Sequence, residues 1–114
     1  MSDCIFCKIA QGEIPAKVVY EDEKVIAFED IKPAAPVHVL VIPKQHIDCA
    51  SNINEQNANI LPDIFLAINK VAKKLGIKEK GFRIIVNSGA EGGQVVYHLH
   101  FHLLGGKTLG SLIV

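Results

Sequence analysis

The stretch His98-Leu99-His100-Phe101-His102-Leu103 decides the fold prediction, because polar and apolar residues alternate strictly along it. Alternation with a period of two is typical of a strand that has one face on a core. Successive side chains of a strand point to opposite faces, so the three imidazoles would share one side. The residues expected to bury against a helix on the other side are Tyr97, Leu99, Phe101 and Leu103. This strand is predicted to span residues 95–104, and its histidine row is left for chemistry or metal binding.

The chain before this strand predicts four further strands and two helices. A short helix would run from its N-cap Asp3 to about Gln11, with Ile5, Phe6 and Ile9 facing the core. Strands are expected at residues 18–22, 24–30, 37–43 and 82–88. The main helix, at about residues 59–75, has an apolar stripe formed by Leu61, Ile64, Phe65, Ile68, Val71, Ala72 and Leu75. This order predicts an α+β fold, a five-stranded antiparallel sheet with one long helix and a short N-terminal helix.

Length, charge and cysteine content narrow the class of protein. A chain of 114 residues fits one domain, residues 1–114. Twelve basic residues balance twelve acidic ones without a basic cluster, which argues against nucleic acid or an anionic membrane as a partner. The N-terminus has neither a basic segment nor the apolar run of a signal peptide, and no stretch is long enough to span a membrane. We therefore expect a cytoplasmic protein whose three cysteines are reduced.

Three interpretations of the histidine row are open. The histidines could be satisfied surface or core residues, although histidine is not a favoured strand residue. They could form a catalytic zinc site, but same-face residues of one strand diverge and converge poorly on one ion. The third interpretation is nucleophilic catalysis, because a neutral imidazole can attack phosphorus without a dedicated base while its neighbours orient it or protonate the leaving group.

A family resemblance favours the third interpretation. The sequence at residues 98–104 resembles the His-φ-His-φ-His-φ-φ signature of the histidine triad (HIT) family, where φ is apolar. The preceding Gly92-Gly93-Gln94-Val95-Val96-Tyr97 and the following Gly105-Gly106 resemble its HINT branch, the purine nucleoside phosphoramidases. Residues 3–9, 28–31 and 35–38 also resemble family segments. The match covers residues 3–106 in the same order, which chance explains poorly.

The resemblance implies a role for each site residue. His100 would be the nucleophile, with the main-chain carbonyl of His98 holding one of its ring nitrogens. His102 and His38 would contact phosphate oxygens or the scissile bridge. The residues implied to bind the nucleotide are Asp30 for the ribose, Asn87 with Gly93, Gln94 and Val95 for the phosphate, and Phe6, Ile9, Phe28 and Ile31 for the base. Taken alone, Asp30 and Asn87 are equally natural turn residues, and the glycine pair could simply make a hairpin.

Cys4 and Cys7 form half of a tetrahedral zinc site. By resemblance, His46 and His98 are the other two ligands, and the zinc would be structural because protein ligands fill every position. Two buried thiols without a metal are the alternative. Cys49 could replace a ligand, although a small apolar role suits it better.

The function implied is hydrolysis of purine nucleoside phosphoramidates, derivatives of AMP or GMP, through a nucleotidyl-histidine. Alternatives are dinucleoside polyphosphate hydrolysis and a non-catalytic nucleotide-binding or partner-binding module. Val95 stands where the HINT branch usually has serine or threonine, which puts amine leaving groups in question. The tail lacks the tryptophan of animal HINT proteins, so their selectivity does not carry over. The resemblance also implies a homodimer joined at the main helix and a neighbouring strand.

Overall fold

Five strands form one antiparallel sheet, in which the fifth strand of the chain lies between the third and the fourth. In this computed structural model, which describes residues 3–111, the elements are α1 (Ile5–Ala10), β1 (Val18–Glu21), β2 (Val25–Glu29), β3 (Val37–Pro43), α2 (Ile60–Lys74), β4 (Arg83–Ile85) and β5 (Phe101–Gly105), with a short 3-10 turn at Ala50–Asn52. The predicted α+β fold with one long and one short helix is confirmed.

The sheet lies between the two helices, and strand alternation divides its side chains between them. On one face, Val39, Val41 and Leu103 pack with the buried stripe of α2. On the other face, Ile26, Phe28, Leu40 and Ile42 form a second apolar cluster with Phe6 of α1. His38 and His102 belong to this second face, because each alternates with residues of the α2 core. The sheet therefore carries the main core on one side and histidines on the other.

Helix α2 begins and ends close to the predicted limits. Asn59 is its N-cap, and Pro62 lies in the first turn, where its missing N–H costs nothing. Six of its residues are buried: Ile60, Ile64, Ala67, Ile68, Val71 and Ala72. The prediction that Phe65 belongs to the buried stripe was wrong, since this side chain is 45% exposed. Neither α2 nor any other helix within residues 3–111 has the length and apolar character needed to cross a membrane.

Helix α1 differs from the prediction at its start. Cys4, rather than Asp3, is the N-cap, and its Sγ accepts a hydrogen bond from the Cys7 main-chain N–H at 3.4 Å. Phe6 and Cys7 are buried, whereas Ile5 is 46% exposed and does not face the core. The thiol cap turns Cys4 toward Cys7, so the pair is already oriented by the helix start.

Strands β4 and β5 are both shorter than predicted. The ladder between β3 and β5 starts at Val41 and Phe101, so residues 95–100 of the predicted strand are irregular. Pro43 ends β3 and has no N–H to extend the ladder. Because β5 is the partner of β4, residues 87–88 of the predicted strand then lie beyond the start of β5 and lack a strand to pair with. Tyr97 is 45% exposed and not buried against the helix as predicted.

Candidate functional site

His98 and His100 lie just before β5, on a segment held by side-chain and main-chain contacts rather than by a strand ladder. The Leu99 N–H donates to the Ile47 carbonyl at 2.6 Å, and the His98 Nε2–H donates to the Pro43 carbonyl at 2.8 Å. Leu99 is buried in the α2 core. This anchoring keeps both imidazoles on the α1 face although the regular strand has not yet begun.

His100 has a defined tautomer. Its Nδ1 lies 2.7 Å from the main-chain carbonyl of His98, and a carbonyl can only accept, so Nδ1 carries the hydrogen. In the neutral ring the other nitrogen, Nε2, then has a lone pair. The side chain is buried, with 8% exposure, and Phe6 packs edge-on against it with ring centroids 5.2 Å apart. A fixed, neutral imidazole with one available lone pair is a suitable nucleophile.

His38 and His102 are diagonal neighbours on β3 and β5. The register places His38 opposite Leu104 and Leu40 opposite His102. His38 Nε2 lies 2.9 Å from His102 Nδ1, and the rings of His102 and His100 are 5.1 Å apart. Sheet geometry thus brings together three of the histidines predicted to be catalytic.

Asp30 lies beside His38 at the end of β2. Its Oδ2 is 3.5 Å from His38 Nε2, and its Oδ1 accepts from the Lys32 N–H at 2.8 Å. The Asp30 N–H donates to the His38 carbonyl at 3.0 Å, which continues the strand pairing by one residue. Asp30 is partly exposed, so the carboxylate predicted to bind the ribose adjoins the histidines and reaches solvent.

The residues predicted to hold the base lie in two environments. Phe6 and Phe28 are buried with ring centroids 5.4 Å apart, and Ile9 packs against their cluster. Ile31 is 92% exposed, beyond the end of β2. Phe6 touches both Phe28 and His100, so it joins the apolar cluster to the proposed nucleophile.

The glycine-rich loop is closed by internal hydrogen bonds. The Gly93 N–H donates to Ala90 O at 3.0 Å and the Gln94 N–H donates to Gly89 O at 3.1 Å. The Gln94 side chain is buried: its Nε2 donates to the Asp48 and Val96 carbonyls and its Oε1 accepts from the Gly89 N–H. Gln94 therefore ties the loop to the segment after β3.

The remaining two predicted phosphate contacts lie at the ends of this loop. Val95 is 86% exposed. Asn87 follows β4 and is partly buried. The nucleotide contacts predicted for Asn87 and for residues 93–95 stay predictions. A separate cavity of about 740 Å³, lined by residues of the α2 C-terminus, β4 and the segment after β5, contains none of the predicted site residues.

Cys4, Cys7, His46 and His98 converge as a group that could hold a metal, with ligand atoms all within 4.8 Å of one another. Cys7 Sγ lies 3.2 Å from His46 Nδ1 and 3.5 Å from His98 Nδ1, and Cys4 Sγ lies 3.3 Å from His98 Nδ1. In a tetrahedral zinc site a sulfur and a nitrogen ligand are about 3.5 Å apart, from the usual bond lengths. The four donors fit such an ion.

The tautomers of both metal-site histidines suit coordination. His98 donates from Nε2 to Pro43, and His46 donates from Nε2 to the Asp48 carboxylate at 2.6 Å. Each ring therefore turns an Nδ1 lone pair toward the thiols. Burial lowers the pKa of His98, which favours the neutral form that a metal requires. Cys49 lies outside this group; its Sγ contacts Ser51 and Asn52.

Sequence reasoning missed three supporting groups: the Asp48 carboxylate, the Pro43 carbonyl and the Ala34 N–H, which donates to His38 Nδ1 at 3.0 Å. A signal existed for Asp48 alone, because the pattern His46-Ile47-Asp48 places a carboxylate two residues from a predicted ligand. Carboxylates commonly accept the second N–H of a metal-binding histidine. The other two are main-chain groups, which every residue has, so the sequence contains no signal for them.

Comparison with known proteins agrees with this fold. The family model described as HIT domain matches residues 11–109. The chain is 58% identical to a HIT family hydrolase from Clostridium thermocellum, with a TM-score of 0.97 over 100% of this chain and 99% of that one. It is 37% identical to a histidine triad nucleotide-binding protein from Candida albicans, with a TM-score of 0.82 over 98% and 85% of the two chains. Protein HitA from Neisseria gonorrhoeae is 46% identical over 105 residues, 92% of this chain and 97% of that protein. The chain belongs to the HIT family.

The site makes stability depend on pH through His102. Burial, followed by the charges that His100 and His38 would carry, lowers the pKa of His102. Folding then favours the neutral ring, so the unfolded chain binds more protons as the pH falls. This contribution to stability is complete above about pH 6.5 and is lost as the pH falls through the pKa of the folded protein.

The free energy of unfolding should decrease less steeply in His102→Gln than in the wild type as the pH falls from about 7 to about 5. The difference between the two slopes should not exceed about 1.4 kcal/mol per pH unit, the limit for one titrating group. Urea unfolding of both proteins at each pH measures the difference. Equal pH slopes for the two proteins would show that His102 does not change its pKa on folding.

Proposed function

We propose that the protein hydrolyses purine nucleoside 5′-phosphoramidates, or related nucleoside 5′-phosphate derivatives, through a nucleotidyl intermediate on His100. The observation that carries the proposal is the hydrogen bond from His100 Nδ1 to the His98 carbonyl at 2.7 Å. This hydrogen bond leaves the lone pair of the buried, neutral ring on Nε2, within a cluster of histidines. Relatives named as a hydrolase and as a nucleotide-binding protein support this class of activity.

The chemistry takes two displacements at phosphorus. In the first, the His100 Nε2 lone pair bonds to the α-phosphorus, and the bond to the leaving group breaks with its electron pair. An amine leaving group takes up a proton from solvent as it departs. The His98 carbonyl stabilises the positive ring through its Nδ1–H. In the second, water bonds to phosphorus and gives a proton to solvent, and the P–N bond returns its pair to Nε2. Two easier steps replace one difficult one.

The nucleotide would lie across the α1 face of the sheet. Asp30 would accept from the ribose hydroxyls with Oδ2, since its Oδ1 already accepts from Lys32. Ile31 and Ile9 would cover the purine of an AMP or GMP derivative beside the buried Phe6 and Phe28 pair. Asn87 and the loop at residues 93–95 would border the phosphate. These roles stand or fall together, because one bound nucleotide must satisfy all of them.

Val95 favours a second activity, cleavage of dinucleoside polyphosphates. Its exposed side chain has no hydroxyl to donate to a leaving group. An amine must gain a proton as it leaves, whereas a phosphate chain departs as a stable anion and needs this help less. Parallel assays with adenosine 5′-phosphoramidate and a diadenosine polyphosphate would rank the two substrates by kcat/KM.

We expect intact-mass analysis of protein quenched during turnover to show one added nucleotidyl group, mapped to His100. His100→Ala removes the attacking atom, so both the adduct and the hydrolysis of either substrate should disappear. His102→Ala keeps the attacking atom and is the matched control, in which an adduct still forms.

A different modified residue in this trapping experiment would contradict the assignment of His100. If the wild type and His100→Ala are equally inactive on both substrates while AMP still binds, the protein is a nucleotide-binding module rather than an enzyme.

We further propose that Cys4, Cys7, His46 and His98 bind structural zinc. Two thiolates and two imidazoles suit zinc, and four protein ligands leave no position for water. The ion would hold α1 against the segment that carries His98 and His100. It would stabilise this arrangement without entering the reaction.

Metal analysis of the purified protein should give one zinc per chain, and Cys7→Ser should lose it. Asp48→Asn should lower the zinc affinity by about 10- to 100-fold, because His46 loses the carboxylate that orients it. Cys49→Ser is the control and should retain full zinc content, since Cys49 lies outside the group. Full zinc content in Cys7→Ser would show that these residues are not the ligands.

A homodimer joined through α2 and β4 is also proposed. Phe65 and Leu66 of α2 and Ile85 and Val86 at β4 are large apolar residues at least 38% exposed. Strand β4 is at the edge of the sheet, with one side unpaired within the described chain. Leu66→Glu should shift sedimentation from dimer toward monomer, because it buries a charge in the interface. Ile31→Glu, outside this surface, should not, and a monomeric wild type would refute the proposal.

Two broader predictions accompany these proposals: residues 1–114 form one HIT domain, and the protein is cytoplasmic with no nucleic-acid or membrane partner. The equal numbers of acidic and basic residues support the latter. Limited proteolysis and cell fractionation would check them.

A further inference from the structure

One N–H of His38 faces two acceptors. The Ala34 main-chain N–H can only donate, and it lies 3.0 Å from His38 Nδ1, so Nδ1 must be a bare acceptor. The hydrogen of the neutral His38 ring is therefore on Nε2. That nitrogen is 2.9 Å from His102 Nδ1 and 3.5 Å from Asp30 Oδ2. His102 accepts the hydrogen bond from this nitrogen, and the Asp30 carboxylate lies within ion-pair distance of it.

The same hydrogen bond from His38 favours one tautomer of His102. An Nδ1 that accepts from His38 carries no hydrogen, so the hydrogen of neutral His102 is on Nε2. His102 then has one donor left for a phosphate oxygen or a leaving group. With both ring nitrogens of His38 engaged inside the protein, His38 has no free nitrogen for the substrate. Its part is to position His102.

We propose that ribose recognition and the donor of His102 are coupled through His38. In the free protein the Asp30 carboxylate, whose Oδ2 lies 3.5 Å from His38 Nε2, attracts the same N–H that His38 donates to His102. When Asp30 accepts the ribose hydroxyls, its Oδ2 no longer draws on His38, and the N–H is committed to His102. His38 is a positioning residue, and Asp30 is a specificity residue that acts on the rate as well as on binding. The inference rests on the proposed function, because it requires a nucleotide with its sugar at Asp30.

The coupling has a kinetic consequence. A sugar hydroxyl that contributed binding alone would change KM and leave kcat unchanged. A hydroxyl that also frees the His38 N–H for His102 must raise kcat. The expected gain is the worth of one hydrogen bond, about two- to tenfold.

A metal shared by Asp30, His38 and His102 is a competing explanation, because their ligand atoms also lie within 4.8 Å of one another. The Ala34 N–H argues against it. A metal on His38 Nε2 would need the ring hydrogen on Nδ1, where it would meet the Ala34 hydrogen. The hydrogen-bonded arrangement needs no ion, because none of the buried side-chain nitrogens and oxygens within residues 3–111 is without a partner.

The first test is spectroscopic and needs no turnover. Long-range ¹H–¹⁵N spectra of the intact, histidine-labelled protein report which nitrogen of each ring carries hydrogen. AMP should increase the share of His102 with hydrogen on Nε2, whereas 2′,3′-dideoxy-AMP at saturation should not. An equal response to both nucleotides would overturn the coupling.

The second test compares hydrolysis of adenosine 5′-phosphoramidate with its 2′,3′-dideoxy analogue. The wild type should lose about two- to tenfold in kcat on the analogue, besides any rise in KM. Asp30→Asn should reduce this kcat ratio toward one, because the variant has no carboxylate to be diverted. An effect confined to KM in the wild type would overturn the inference while leaving the proposed function standing.

A matched pair of variants separates the role of His38 Nε2, which donates to His102, from that of Nδ1, which accepts from Ala34. His38→Gln can place an amide N–H near the Nε2 position and keep a donor for His102. His38→Asn can place an oxygen near the Nδ1 position and keep only the acceptor for Ala34. We expect His38→Gln to retain more kcat and more of the His102 Nε2–H signal than His38→Asn.

If His38→Asn retained more kcat than His38→Gln, the important contact of His38 would be the one with the Ala34 N–H and not the one with His102. Failure of AMP to bind the wild type would instead remove the nucleotide site, and with it the proposed function.

Discussion

The structure depends on the position of His98, which takes part in three interactions at once. Its main-chain carbonyl accepts from the proposed nucleophile His100, and its ring donates to the Pro43 carbonyl at the end of β3. Its remaining ring nitrogen turns to Cys4 and Cys7. The ring is completely buried, so each of these polar groups must be satisfied within the protein. The group that could hold a metal, the sheet and the proposed nucleophile therefore share one residue, and a displacement of His98 would change all three.

Main-chain groups, rather than charged side chains, set the direction of the hydrogen bonds at this site. The His98 and Pro43 carbonyls and the Ala34 N–H each have one fixed role, and each decides which nitrogen of a neighbouring imidazole carries hydrogen. Histidine has two tautomers of similar energy, so a rigid donor or acceptor is enough to choose between them. Because the backbone cannot change its protonation state, it selects the same tautomer whenever the ring is neutral.

The fold could be predicted well from the sequence wherever a pattern is local. The α2 limits followed from helical periodicity and from Pro62, and β3 was predicted over its full length at residues 37–43. Errors arose where a partner sets the limit: β5 begins late because Pro43 ends its ladder, and β4 is short because β5 begins late. The wrong prediction that Phe65 is buried has a similar origin, because the apolar periodicity of a helix does not show which residues the sheet will cover.

For the site, the motif led to the histidines and cysteines, and the structure brings Cys4, Cys7, His46 and His98 together as that motif implied. Sequence could not provide the tautomers, because these depend on backbone groups that become neighbours only after folding. The contact between Phe6 and His100 could not be predicted from the sequence either, yet it connects helix α1 with the proposed nucleophile. Phe6 lies between the two cysteines in the chain, so whatever fixes α1 at Cys4 and Cys7 also fixes an aromatic edge against His100. Because helix α1 already touches the ring of the proposed nucleophile through the Phe6 side chain, a change at Cys4 or Cys7 needs no long path to reach His100.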